Sequence, residues 1–248
     1  IFRRVNGFSW TGDYDSWQQA QKASTGYNSQ IILDKVKDAL LKVKNGQAAG
    51  ERDSVLLKNV EYSWPILSAL MWIAAQSKGR LNLIDFGGSL GSSYFQNRAF
   101  LKHLSEVHWN IVEQKHFVDT GKRYFEDDSL KFFYDMQSCL EQYSPNTILF
   151  SSVLQYLEKP YELLEEVKAL NFKFILVDRT PFTIGQKDKL TVQTVPHKVY
   201  SASYPCWFFD KARVTAFFED RYITIAGFKS IDKANIPSSF EGFILKKK

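Results

Sequence analysis

Cysteine is nearly missing from this chain: Cys139 and Cys206 are the only two in 248 residues. Neither stands in a C-x-x-C or Cys/His cluster, so neither a disulfide framework nor a thiolate metal site organises the fold. A reduced, cytoplasmic setting is the expectation. His103, His108 and His116 show no metal-like grouping, and no metal is expected. Long apolar runs are missing too. The longest, Trp64 to Ala75, is broken by Pro65 and Ser68 and falls short of the roughly 20 residues that span a bilayer. It reads as a buried helix, and no secretory n-region, h-region and cleavage pattern opens the sequence. Charge of one sign is also scarce. The formal net charge is +5, and Lys246, Lys247 and Lys248 supply more than half of it. The other lysines alternate with acids as on solvated helix faces, so nucleic acid is not implied as a partner.

What is present is a core: 44% of the residues are hydrophobic, enough for one large α/β domain. Its clearest stretch is R-L-N-L-I-D-F-G-G-S-L-G-S-S-Y-F, Arg80 to Phe95. Leu81, Leu83, Ile84 and Phe86 form a short apolar run suited to a buried parallel strand. Glycines follow, and then Tyr94, Phe95, Phe100, Leu101 and Leu104 recur at near-helical spacing, with Ser92 or Ser93 available as N-cap. Strand, glycine turn, helix is an order with a use. The first amides of a helix lack internal partners and carry partial positive charge, so they attract a carboxylate or a phosphate.

Ahead of that stretch, residues 1–79 read as an N-terminal aromatic and helical extension packed on the core. W-T-G-D-Y-D-S-W, Trp10 to Trp17, has too many large rings for a free tail. It is a clasp over the core or a lid over a pocket, with Asp13, Tyr14 and Trp17 facing inward. Ile31 to Val43 and Trp64 to Gln76 read as helices. Between them Glu51-Arg52-Asp53-Ser54 is a compact charged turn, salt-bridged or, if it faces a pocket, able to hold substrate.

Residues 80–248 alternate strand and helix. Val107 to Val112 is a second apolar run ending in Glu113, Leu130 to Tyr134 a third followed by Asp135, and Thr147 to Phe150 a fourth ending in Ser151-Ser152. Leu157 to Leu170 is an amphipathic helix, and Phe172 to Val177 a fifth run ending in Asp178-Arg179. Strands and helices at this spacing imply a doubly wound, mainly parallel sheet. Lys189 to Tyr200 alternates with period two and reads as an inserted β-ribbon. After a helix at Asp210 to Glu219, Tyr222 to Phe228 and Phe240 to Leu245 have no helix between them, so they form an antiparallel pair and complete seven strands.

Ligands of open α/β sheets sit at the carboxyl ends of the strands, where strand order reverses. The residues there are Asp85 with Gly87, Gly88 and Gly91, then Glu113, Asp135, Ser151, and Asp178 with Arg179. Glu113 stands 22 residues after Gly91, near the place of an acid that accepts ribose hydroxyls.

D-F-G-G-S-L-G, Asp85 to Gly91, resembles the acid-x-Gly-x-Gly-x-Gly motif of class I S-adenosylmethionine-dependent methyltransferases, with Ser89 where the middle glycine is usual. S-S-V-L-Q-Y-L, Ser151 to Leu157, is similar to the segment after their fourth strand. More narrowly, the blocks G-D-Y-D-S-W, E-R-D-S-V-L, V-E-Q and D-R-T-P-F, taken with those two, resemble a bacterial methyltransferase family associated with surface-polysaccharide gene neighbourhoods. The resemblance implies a Rossmann-like methyltransferase fold with S-adenosyl-L-methionine as cofactor and a small molecule or saccharide as acceptor. It also implies roles: Asp85, Gly87, Gly88 and Gly91 around the methionine part, Glu113 on the ribose, Asp135 at the adenine amino group, and Ser151 beneath the sulfonium.

Each role has a plainer counterpart. Asp85 either meets the ligand or braces the turn, Glu113 is a ribose ligand or a surface acid, and Asp135 is a ligand or a helix cap. A hydroxyl acceptor needs a base, for which His197 on the ribbon, Asp178 and Tyr14 are the candidates. Arg179 either binds an anionic substrate or pairs with Asp178. Two rival readings share the architecture. One is a non-catalytic cofactor- or carbohydrate-binding protein; the other is a nicotinamide-dependent oxidoreductase, against which the absence of G-x-G-x-x-G and the terminal antiparallel pair both speak.

Overall fold

The computed structural model describes residues 7–26, 29–52, 54–197 and 199–248. Asp53 of the charged turn, the first six residues of the aromatic extension and Lys198 of the ribbon lie outside them. In order, the elements are β1 (Ser9–Thr11), α1 (Trp17–Lys22), α2 (Ser29–Lys44), β2 (Gly50–Arg52), β3 (Val55–Leu57), α3 (Trp64–Gln76), β4 (Arg80–Phe86), α4 (Ser92–Leu101), β5 (Glu106–Val112), α5 (Lys115–Tyr124) and β6 (Leu130–Phe133). Then come α6 (Met136–Gln142), β7 (Thr147–Ser151), a 3-10 turn at Leu154–Tyr156, α7 (Pro160–Leu170), β8 (Phe174–Thr183), β9 (Lys189–Val195), β10 (Ala202–Phe208), α8 (Lys211–Phe218), β11 (Tyr222–Lys229) and β12 (Ser238–Lys247).

Seven strands form the main sheet in the order β11-β12-β8-β7-β4-β5-β6. The chain starts in the middle at β4, steps outward to β5 and β6, and returns to β7 on the other side of β4. That reversal opens a crevice between the carboxyl ends of β4 and β7. The five neighbours from β6 to β8 are parallel, and β12 and β11 close the sheet antiparallel. Two layers of apolar side chains flank the sheet. One centres on Leu70, Ile73, Leu83 and Trp109, the other on Ile84, Phe150, Ile175 and Val177. Successive strand residues serve opposite layers, as the pleat requires.

A second, three-stranded sheet runs β1-β9-β10. It buries Trp10 against Phe208 and Phe240, and on its other face Ala20 of α1 against Leu190 and Val192. The aromatic extension is therefore clasped to the ribbon, with β1 supplying its outer strand.

Four local expectations need correction. The ribbon spans β9 and β10 rather than ending near Tyr200, because Tyr200 lies in the connecting turn. Helix α4 has no serine cap; Gly91 is its N-cap at φ +104°. The helix expected from Leu157 begins at Pro160, after the 3-10 turn. Finally, β8 does not stop at Val177. It continues through a bulge in which Asp178 and Arg179 face the single residue Gly242, with Arg179 at φ +52°. A β-carbon on Gly242 would meet the Val177 carbonyl, so the bulge needs glycine opposite it.

Candidate active site

The register aligns Phe133, Val112, Phe86, Phe150 and Val177 across the five parallel strands. The next residue on each strand is Tyr134, Glu113, Gly87, Ser151 and Asp178, and all five line one cleft of about 2030 Å³. Ordinary ligand pockets are roughly 300–1,000 Å³, so this cleft has room for two ligands. Asp85, Gly88, Asp135 and Arg179 also line it; Gly91, Tyr14 and His197 do not.

The glycine turn is shaped by its surroundings. Gly87 sits at φ +70°, and a β-carbon there would collide with Val153 beyond β7. At Gly88 a β-carbon would stand 2.6 Å from the Asp85 carboxyl carbon, so the acid lies directly under the turn. Ser89, at φ +55°, takes a conformation in which glycine is more comfortable. Gly91 caps α4 and packs near Leu130 instead of lining the cleft.

Asp85 is 1% exposed and accepts one hydrogen bond from Trp109 Nε1 at 2.9 Å. Burial pushes its carboxyl up to about 7, the Trp109 bond works against that, and the Glu113 charge adds to the rise. Glu113 is itself raised by burial, against a bond from the Gln114 amide at 3.1 Å. Asp135 is exposed and caps α6, accepting from the Ser138 amide at 2.7 Å.

On the other side of the crevice Ser151 and Asp178 are cross-strand neighbours. The Ser151 hydroxyl faces one Asp178 oxygen at 3.4 Å and the Ser230 hydroxyl faces the other at 3.3 Å. Asp178 is 4% exposed, and burial raises its pKa while the neighbouring Arg179 charge opposes the rise. The guanidinium itself turns away. Arg179 makes a bidentate pair with Asp232, at 3.1 and 3.2 Å, rather than with Asp178. Burial works to raise Asp232, but the Arg179 charge and hydrogen bonds outweigh it and hold that carboxyl below its usual range. Both residues sit in the β8 bulge, with Arg179 at its positive φ.

The other base candidates lie elsewhere. His197 is exposed in the β9–β10 turn and bonded to Ser201. Tyr14 packs with Ala20, Leu190 and Val192 on the face of the small sheet away from the cleft row. Of the charged turn, Glu51, Arg52 and Ser54 reach the cleft, and Arg52 stands 3.9 Å from Glu61. Sequence reasoning missed Ser230, Asp232, Gln193 and Tyr204, which also line the cleft. Only the S-S-V-L-Q-Y-L block hinted at Tyr156 beside them.

No protein-family model matches this chain, and no curated protein matches it. The narrower family resemblance therefore gains no support. Solved structures do match. The N-terminal domain of EvdMO1, determined in the presence of SAH and D-fucose, superposes with a TM-score of 0.53 at 10% identity, over 90% of this chain and 98% of that one. The same domain with SAH bound gives 0.52 at 9% identity, over 87% of this chain and 97% of that one. At such identity the likeness is one of fold. The chain has the Rossmann-like methyltransferase fold: seven strands, the β4–β7 crevice and the antiparallel end pair.

Proposed function

We propose that this protein is an S-adenosylmethionine-dependent methyltransferase acting on a small-molecule or saccharide hydroxyl. The observation that carries the reading is the row of strand tips. A glycine turn opening a helix, an acid on the next tip and an acid across the crevice all line one cleft. The residues fit such a cofactor. Among the described residues, the amides of Gly88, Ser89, Ser92 and Ser93 donate to no protein acceptor, and all four residues line the cleft. They are suited to a carboxylate. Asp85 and Glu113 offer negative charge to an ammonium and hydrogen-bond acceptors to a ribose. Asp135 sits one strand further out, at the adenine end.

When bound, the cofactor would supply a methyl group activated by its sulfonium, with a neutral thioether as the leaving group. The chain's own work is to align the acceptor, exclude water and receive the hydroxyl proton. Asp178 is the group placed to receive it. It lies across the crevice from the glycine turn, its guanidinium neighbour is committed to Asp232, and burial makes it a stronger base than an exposed carboxylate. Ser151 and Ser230 orient its two oxygens.

Titration calorimetry tests the cofactor. S-adenosylhomocysteine should bind and NAD should give no heat; the reverse outcome ends this reading in favour of a nicotinamide enzyme. Glu113→Ala should weaken S-adenosylhomocysteine by about 1–3 kcal/mol, the worth of ribose hydrogen bonds to a charged group. An unchanged affinity removes Glu113 from the site.

A further inference from the structure

The far half of the cleft is built by the three-stranded sheet, which the cofactor reading does not use. One cross-strand row of that sheet, Trp10, Gln193 and Tyr204, lines the cleft. Tyr156, on the turn that leaves β7, sets its ring edge-on to Tyr204 with centroids 5.4 Å apart, and its hydroxyl donates to Gln193 Oε1 at 2.9 Å. Since Tyr156 follows Ser151 by five residues, this wall adjoins the tip that carries Ser151 and Asp178.

Gln193 is the telling residue. It is 4% exposed, and the Tyr156 bond occupies its carbonyl. Among the described residues its Nε2 has no hydrogen-bond partner. An amide nitrogen with two donors, reaching the cleft from an otherwise buried side chain, is free to donate to whatever fills the cleft. The amide of Asn235, by contrast, is fully used on the Trp10 backbone, at 2.7 and 3.1 Å. The row itself carries no charge; Arg179 is closed onto Asp232, while Lys233, two residues before Asn235, also lines the cleft. Rings beside the unpaired Gln193 amide suit a ligand with one apolar face and hydroxyls around its rim.

Resting on the methyltransferase reading, we propose that the acceptor is a sugar. A hexose ring lies against Tyr204 and Tyr156, accepts from Gln193 Nε2, and turns one hydroxyl toward Asp178. A planar aromatic acceptor would stack on the same rings but offers no hydroxyl rim to the amide.

The test is saturation-transfer NMR on the full chain with S-adenosylhomocysteine in excess. The probes are methyl glycosides of glucose, galactose, mannose and fucose, with phenol and 8-hydroxyquinoline as planar controls. At least one glycoside should receive saturation on its ring C–H protons. Gln193→Leu and Tyr204→Leu should each weaken it about tenfold, while calorimetry shows S-adenosylhomocysteine binding unchanged, which also certifies that the variants fold. Silence from every glycoside, saturation of the planar probes alone, or a glycoside affinity indifferent to Gln193→Leu overturns the proposal. Failure of S-adenosylhomocysteine to bind is a different result, and it removes the cofactor reading itself.

Discussion

Asp85 is an acid kept where an acid is expensive. Its carboxyl lies under Gly88 with a single hydrogen bond, and its pKa stands at about 7 against an ordinary 3.8. Between those two values the folded chain holds a proton that the unfolded chain has released. Asp85 therefore favours folding only at low pH; its contribution fades as pH rises through that window and becomes a full penalty above about 7. Asp85→Asn keeps an acceptor for Trp109 and removes the charge. It should stabilise the protein at pH 8 by on the order of 2–4 kcal/mol, and far less at pH 4.5, as read from urea midpoints at the two values. Equal gains at both would mean that the side chain is not the buried acid described. That the chain tolerates such a cost at a strand tip is itself a mark of function, since sites keep perturbed groups that stability alone would discard.

At the scale of elements, the crevice depends on how closely β4 and β7 leave the sheet together. A β-carbon on Gly87 would run into Val153 across it, and Gly87 also needs its positive φ. Gly87→Ala should cost about 2–4 kcal/mol, summing backbone strain and overpacking. Adding Val153→Ala should return part of that loss, so that a double-mutant cycle shows coupling of at least about 0.5 kcal/mol; strict additivity would deny the contact. The three-residue strand β1 is a second such dependence. Trp10 is 6% exposed against Phe208 and Phe240, so Trp10→Ala should lower stability by about 3–5 kcal/mol. Binding of S-adenosylhomocysteine should be unaffected, because the tips of β4 and β5 lie in the other half of the cleft.

These two elements differ in how far they can be read from sequence. The parallel strands announce themselves as apolar runs bounded by turn residues, and their tips follow by counting, so Glu113, Ser151 and Asp178 were legible together. Strand β1 is too short for any period to register, and its partner β9 lies some 180 residues away. Strand β10 hides behind Pro205. The pairing of Arg179 with Asp232 crosses 53 residues and starts from a bulge opposite Gly242, which no local pattern signals. Residues whose roles come from long-range pairing, Gln193 above all, appear only when the sheet is assembled.

Over the whole molecule, the distribution of charge runs against its total. The chain is basic overall, at +5, yet the strand tips in the cleft carry Asp85, Glu113, Asp135 and Asp178. If the cofactor lies along those tips, this local field distinguishes it from its product. S-adenosylmethionine carries a sulfonium charge, whereas S-adenosylhomocysteine has a neutral thioether there. Raising the pH from 5.5 to 7.5 ionises more of Asp85 and so adds negative charge beside the site. The ratio of the two affinities should shift toward S-adenosylmethionine across that interval, by up to about tenfold, the scale of one partly screened charge pair. Added salt should narrow the shift, and Asp85→Asn should abolish most of it. Calorimetric titration of both ligands at the two pH values decides the matter. A ratio that stays flat would show that the acids at the strand tips do not sense the sulfonium, and that release of the product is not assisted by its loss of charge.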